Sequence, residues 1–282
     1  MARKSRFQKA ASALVNFVPV VLLRKLRRPP IVIGGCARSG TTLMLSILSS
    51  SPRILAFPGE TRLFCPTTYK QHPPDLNARF SRYRFYRHLL YQKIPATAWR
   101  WCEKTPKNVL FFGRILDHFD GRVRLIHMVR DGRDIVSSRH PRDPSKYWVA
   151  PRRWVDEVRA GLDWEGHESV LTVRYEDLVT DIQGQLTRLE QFLDEDLRGL
   201  AEHWHDRAAV RLSVAWFDEV QATHSRSIGR WKEPRHRAVV EQLMAIPEAV
   251  ELLDRLGYDT AIPELTTDTA PAPAAERDQA RA

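Results

Sequence analysis

The chain has 282 residues, 28% of them charged and 43% hydrophobic, enough to bury the core of one large α/β domain or two small ones. Its net charge is +10, but residues 1–30 hold eight basic residues and no acid, which leaves 36 basic against 34 acidic residues in the body. A body this balanced argues against a nucleic-acid partner, whose basic excess belongs on the folded domain. Cys36, Cys65 and Cys102 form neither a disulfide framework nor metal-ligand spacing, so no metal is expected and a reducing, cytoplasmic setting is the simplest inference.

The first 29 residues run basic, then apolar from Ala10 to Leu23, then basic again. Those fourteen apolar-rich residues, interrupted by Ser12, Asn16 and Pro19, fall short of the ~20 needed to span a bilayer. No clear small-residue cleavage signature follows, which argues against a removable signal peptide. An interfacial helix with Phe7, Leu14, Val18 and Val21 on one side would give peripheral membrane contact through residues 1–29. The alternatives are a helix packed on the domain and a disordered arm.

Next comes an apolar, β-branched run, Ile31-Val32-Ile33, that enters a Gly-bounded turn through Gly34, Gly35 and Gly40 and opens into a helical pattern at Leu43, Ile47 and Leu48. This order aims unpaired backbone N–H groups and a helix N-terminus at an anion. The spacing is that of the nucleotide-phosphate loop, with Thr42 in the hydroxyl place, but Thr41 stands where the lysine would be. A loop holding Arg38 and no lysine suits one terminal phosphate better than a triphosphate; an ordinary Gly-rich turn is the plain alternative.

A second strand is expected over 52–57, ending at Pro58-Gly59-Glu60-Thr61-Arg62. Residues 65–92 read as a surface helix with Phe80, Tyr83, Tyr86 and Leu90 packed down, or as a substrate-facing lid. Strands are expected at 96–103, 123–129 and 170–175, each followed by a helical pattern, the last over 176–192. A final helix over 235–256 stops at Gly257, and a tail rich in Ala, Thr and Pro closes the chain. Strands alternating with helices predict a single α/β domain over 30–260, a parallel sheet flanked by helices, between the arm at 1–29 and a disordered tail at 261–282. Polar residues at the C-terminal strand ends then share one crevice.

With these motifs placed, the chain resembles, from about Ile31 to Tyr258, the sulfotransferases that use 3′-phosphoadenosine 5′-phosphosulfate (PAPS) as co-substrate and release PAP. The family's 5′-phosphosulfate loop is matched by Ala37-Arg38-Ser39-Gly40-Thr41-Thr42, with alanine in the proline place. Its 3′-phosphate element is matched by Arg130 and Ser138, its strand-end signature by Tyr175-Glu176-Asp177-Leu178, and its late closing loop by Ser227-Ile228-Gly229-Arg230-Trp231-Lys232. The likeness is closer to the protein-tyrosine sulfotransferases, whose Glu-Thr-Arg and Cys-x-Lys-x-Pro motifs appear at Glu60–Arg62 and Cys102–Pro106. The cysteine that would pair with Cys102 there falls near Phe57 and is absent.

The resemblance implies a P-loop fold and sulfuryl transfer to a hydroxyl acceptor, without a metal. Glu60 is the expected general base, with His127 and His140 as weaker candidates, and Arg38 and Lys104 would meet the developing charge. Ser39, Gly40, Thr41 and Thr42 would hold the 5′ end, Arg130 and Ser138 the 3′-phosphate, with Tyr175, Arg230 and Lys232 alongside. Arg133, Arg139 and Arg142 lie close enough in sequence to help. A P-loop kinase is disfavoured by Thr41, and a non-catalytic nucleotide-binding or membrane-associated protein by the retention of Glu60 and Lys104. The acceptor, whether tyrosyl, glycan, lipid or small molecule, and the oligomeric state are not legible.

Overall fold

A computed structural model of the protein describes residues 26–64, 80–92, 94–140, 143–197, 199–210 and 227–261. Most of the arm, Cys65, Arg142 and the tail beyond Ala261 lie outside these residues. Five strands form one parallel sheet: β1 (Ile31–Gly35), β2 (Ile54–Glu60), β3 (Arg100–Lys104), β4 (Arg124–Val129) and, after a small hairpin, β7 (Val170–Arg174), in the order β2-β3-β1-β4-β7. All five expected strands are present. The β3 strand begins only at Arg100, because residues 95–98 form a turn in which the Ala98 N–H donates to the Pro95 carbonyl at 3.1 Å.

The sheet is parallel because helices return the chain between strands: α1 (Thr41–Ser49), α2 (Arg82–Tyr91), a 3-10 turn (Pro106–Phe111) running into α3 (Phe112–His118), α4 (Gly132–Val136) and α5 (Pro151–Leu162). Central strands buried on both faces read as continuous apolar runs, and every residue of β1 is buried. One face packs Ile31, Ile33, Met44 and Ile47, the other Val32, Leu125, Phe112 and Phe57. Each such fully enclosed aliphatic side chain stabilises the fold by roughly 1.5–3 kcal/mol before entropy is counted.

Several boundaries differ from expectation. The stretch at 176–192 is two helices, α6 (Tyr175–Thr180) and α7 (Ile182–Leu193), because Asp181 leaves helical geometry and its side chain caps the second by accepting at Oδ1 from Gly184 N. The final stretch is likewise two helices, α9 (Arg237–Met244) and α10 (Pro247–Arg255), after α8 (Leu200–Arg207). The residue before a proline is pushed out of helical geometry, and Ile246 obliges. Helix α4 is a single turn, and the hairpin β5 (Arg139–His140) and β6 (Asp143–Tyr147) follows it. On α2 the expected packing face is rotated: Phe85 and Leu89 are buried, whereas Tyr83 and Leu90 face solvent. Leu26 is buried in the same cluster as Phe85, so the packed domain starts before residue 30.

Candidate active site

Connections leave β1 and β4 toward opposite edges of the sheet, so the crevice opens between their C-terminal ends, the position where open α/β sheets take ligands. The turn after β1 supplies one wall. Arg38 adopts a left-handed φ of 77° and Gly40 one of 89°, where Gly40 caps α1. A Cβ on Gly40 would lie 2.6 Å from Cδ2 of Tyr175, and one on Gly35 would lie 2.3 Å from the Met128 carbonyl oxygen. Glycine is required at both positions by space as well as by backbone angle.

Within this turn Ser39 is fully enclosed and its hydroxyl donates to the Cys36 carbonyl at 2.7 Å, so it braces the loop from inside. Thr41 is buried and Thr42 half-buried at the start of α1. Arg38 is mostly enclosed, and burial, then the charges of Arg130 and Arg230, pull its guanidinium down to a pKa of about 10. Three arginines from distant segments thus converge, which is costly unless an anion joins them.

Arg130, just beyond β4, donates to the Arg38 carbonyl at 3.2 Å and to the Ser227 carbonyl, lies 3.6 Å from Asp134 and covers the Tyr175 ring at 4.4 Å. Its Nε is buried without a hydrogen-bond partner, a donor left for a ligand. Tyr175 opens α6 rather than ending its strand. One ring face is taken by Arg130, Gly40 sits at its edge, and its hydroxyl meets Ser227 Oγ at 2.5 Å. Its place is therefore against the glycine turn, between Gly40, Arg130 and Ser227.

The late segment is fastened by Asp134, whose carboxylate accepts from Gly229 N at 2.9 Å and Trp231 N at 3.1 Å. Burial raises the Asp134 pKa, opposed by Arg130 and these two amides. Trp231 is buried while Arg230 and Lys232 stay exposed at the rim. Ser138 Oγ donates to the Asp134 carbonyl at 3.0 Å.

At the opposite wall, β2 continues past Phe57 through a register shift at Pro58-Gly59, and Gly59 takes a φ of 75°. That bulge puts Glu60 opposite Lys104 on β3, with Nζ 3.7 Å from Oε1. The Lys104 side chain is 5% exposed and that of Glu60 19%. Burial lowers the Lys104 pKa, and the neighbouring charges of Glu60 and Glu103 work against that shift.

Four expected candidates fall away from the crevice. His127 is wholly enclosed against Gly161 and Phe112 with neither ring nitrogen partnered, and burial pushes its pKa down to about 3. It cannot reach a solvent-exchanged proton. Arg133 is held by the Asp131 carboxylate at 2.8 Å and lies 4.0 Å over the Trp231 ring. Arg139 covers Tyr147 at 3.9 Å, and His140 sits 4.5 Å from Trp148. A hollow of about 300 Å³ near Arg28, Arg53, Trp99 and Glu195 opens at the other end of the sheet, where both arginines already cover the Trp99 ring. Sequence reasoning passed over Asp134, Glu103 and the buried Arg153–Glu157 pair beneath Cys36, all of which look like ordinary surface charges in a linear reading.

Residues 29–199, more than half of the chain, match a family model described as the sulfotransferase family. The chain belongs to the sulfotransferase family. This sulfotransferase is 25% identical over 270 residues to protein-tyrosine sulfotransferase A of Caenorhabditis elegans, an alignment covering 82% of this chain and 67% of that one. Its fold is similar to that of the sulfotransferase domain of the Synechococcus PCC 7002 olefin synthase (TM-score 0.57, 21% identity, 83% of this chain and 96% of that one). It is similar to the sulfotransferase domain of the curacin biosynthetic pathway (0.58, 18%, 83% and 99%) and to a mouse sulfotransferase complexed with PAP (0.52, 16%, 82% and 88%). Among the described residues no group of His, Cys, Asp or Glu has metal-site geometry, and no helix is long and apolar enough to cross a membrane.

Proposed function

We propose that this sulfotransferase takes PAPS as donor and passes its sulfuryl group to a hydroxyl acceptor, with Glu60 as general base. The observation that carries the reading is the pairing of Glu60 and Lys104 at adjacent strand ends, beside a glycine-shaped anion cradle. The residues present fit such a donor: two glycines that admit no Cβ, the converged Arg38, Arg130 and Arg230, and the unpartnered Arg130 Nε. The donor supplies an activated sulfuryl group, and the protein supplies positioning and charge.

Three cradle groups, the N–H groups of Gly40, Thr41 and Thr42, are aimed at the 5′ end, with Arg38 and Lys104 as preorganised cations there. Arg130, with Ser138 near it, suits the 3′-phosphate, since a guanidinium presents several donors in a fixed fork. The Glu60 carboxylate, 3.7 Å from Lys104 Nζ, accepts the acceptor's proton as the hydroxyl attacks. As the proton arrives, Lys104 loses its ion-pair partner and its charge is freed for the leaving oxygen. The exposed Arg230 and Lys232 lie at the rim, where they would meet phosphate from the solvent side.

Calorimetry with PAP in magnesium-free buffer tests the donor: binding is expected, and dependence on magnesium with ATP preferred would overturn the reading. Labelled PAPS presented with peptide, glycan, lipid and phenolic acceptors tests the transfer. The tyrosine-sulfating relative makes a tyrosyl peptide the first of these. Glu60→Gln should keep PAP affinity and lose transfer by ~100-fold or more; full transfer in that variant would remove Glu60 as base.

A further inference from the structure

The glutamate that precedes Lys104 has no part in the chemistry above, yet it is a wholly enclosed carboxyl at the site. Thr61 Oγ1 donates to its Oε2 at 2.5 Å, Thr105 Oγ1 donates to the same oxygen at 3.3 Å, and Asn108 Nδ2 donates to Oε1 at 2.5 Å. The network extends outward from there. Thr105 Oγ1 accepts from Arg62 N at 3.0 Å, and Asn108 also donates to the Ile33 carbonyl at 3.1 Å, on the strand that enters the cradle.

Thr61 is the chain neighbour of Glu60 and Thr105 that of Lys104, so one carboxylate ties the two residues next to the pair. Successive side chains on a strand leave opposite faces, so Glu103 works from behind the sheet while Lys104 points into the crevice. Arg62 holds a left-handed φ of 53°, an uncommon conformation for a residue with a Cβ, and the bond from its N–H to Thr105 secures the turn directly after Glu60. Enclosing a carboxyl is costly and an apolar residue of similar volume packs more cheaply, so stability alone does not account for Glu103.

We propose that Glu103 is a positioning residue that sets the separation of Glu60 and Lys104 by holding Thr61 and Thr105 on one carboxylate. This rests on Glu60 and Lys104 being the reacting pair. The network is closed, with each hydroxyl hydrogen and the Asn108 amide directed at the same group, so removal of one donor loosens one arm without removing a charge.

The test reads the pair itself and needs no acceptor. Lysine side chains of the full chain are reductively methylated with ¹³C, and the Lys104 signal is identified by its loss in Lys104→Arg and titrated by NMR. Thr61→Val removes one donor at nearly constant volume and charge, and Thr61→Ser restores it. The expected result is a Lys104 midpoint below the ordinary lysine range in the wild type, displaced by about one pH unit in Thr61→Val and returned in Thr61→Ser. Thr105→Val and Thr105→Ser repeat the comparison through the other arm, should the first variant fail to fold by circular dichroism. An unmoved Lys104 midpoint in folded Thr61→Val and Thr105→Val, with a wild type that binds PAP, overturns the role of Glu103 and leaves the donor site standing. Absence of PAP binding by the wild type overturns the underlying reading instead.

Discussion

Two buried groups push the pH dependence of stability in opposite directions, and the size of each push follows from its burial. Glu103 has its pKa raised by burial from 4.5 to about 7, against the hydrogen bonds of Thr61, Asn108 and Thr105. A carboxyl raised in the native state holds its proton longer than in the unfolded chain. Its contribution is therefore complete below pH 4.5 and is lost as pH rises through about 7. His127 is lowered by burial from 6.5 to about 3, so the native ring stays neutral while the unfolded one takes up a proton. Stability is therefore lost as pH falls below 6.5. By linkage, lowering the pH from 7 to 5 gains ~2 kcal/mol through Glu103 and costs ~2 kcal/mol through His127, so the two nearly cancel. Urea unfolding followed by tryptophan fluorescence at pH 5, 6 and 7 separates them. Relative to the wild type, Glu103→Gln should lose ~2 kcal/mol as the pH falls over that range, and His127→Leu should gain a similar amount. Curves for both variants that run parallel to the wild type would show that these groups titrate alike in both states and would refute the reasoning.

Other variants probe the cradle and its closing segment. Gly40→Ala should destabilise by more than the ~1–2 kcal/mol of left-handed strain, because its Cβ meets Tyr175. Gly121→Ala, at a φ of 73° with open space around it, should show the strain alone, and the difference in thermal unfolding measures the crowding. Asp134→Asn removes the charge that fastens Gly229 and Trp231, worth ~1.5–3 kcal/mol, and should weaken PAP binding roughly 10- to 100-fold by calorimetry. Arg133→Lys should lower the unfolding temperature through the lost contacts with Asp131 and Trp231 while changing PAP affinity less than Asp134→Asn does.

The strands were legible because each is an apolar or β-branched run bounded by turn residues, and all five lie within a few residues of where the pattern puts them. Local pattern was a poorer guide wherever a side chain or a distant segment decides the geometry. The Asp181 cap splits one helical stretch, and Pro247 splits another. The buried face of α2 is chosen by the aromatic cluster of Phe57, Phe80 and Trp101 it meets, which turns Phe85 and Leu89 inward instead of Tyr83 and Leu90. His127 lies in a strand readable as a site wall, and only the packing of Gly161 and Phe112 against it shows that no proton can reach it.

By itself the sequence determined the alternation of strands and helices, the glycine-shaped turn after the first strand and the family, because these depend on residue types at short spacing. Tertiary structure alone decided which distant charges meet. The Pro58-Gly59 bulge sets Glu60 across from Lys104, the strand order brings Arg38 to Arg130, and Asp134 fastens a segment nearly a hundred residues away. A linear reading cannot separate a solvated charge from an enclosed one, since the difference lies in burial, and burial is a property of the packed sheet and its crossovers.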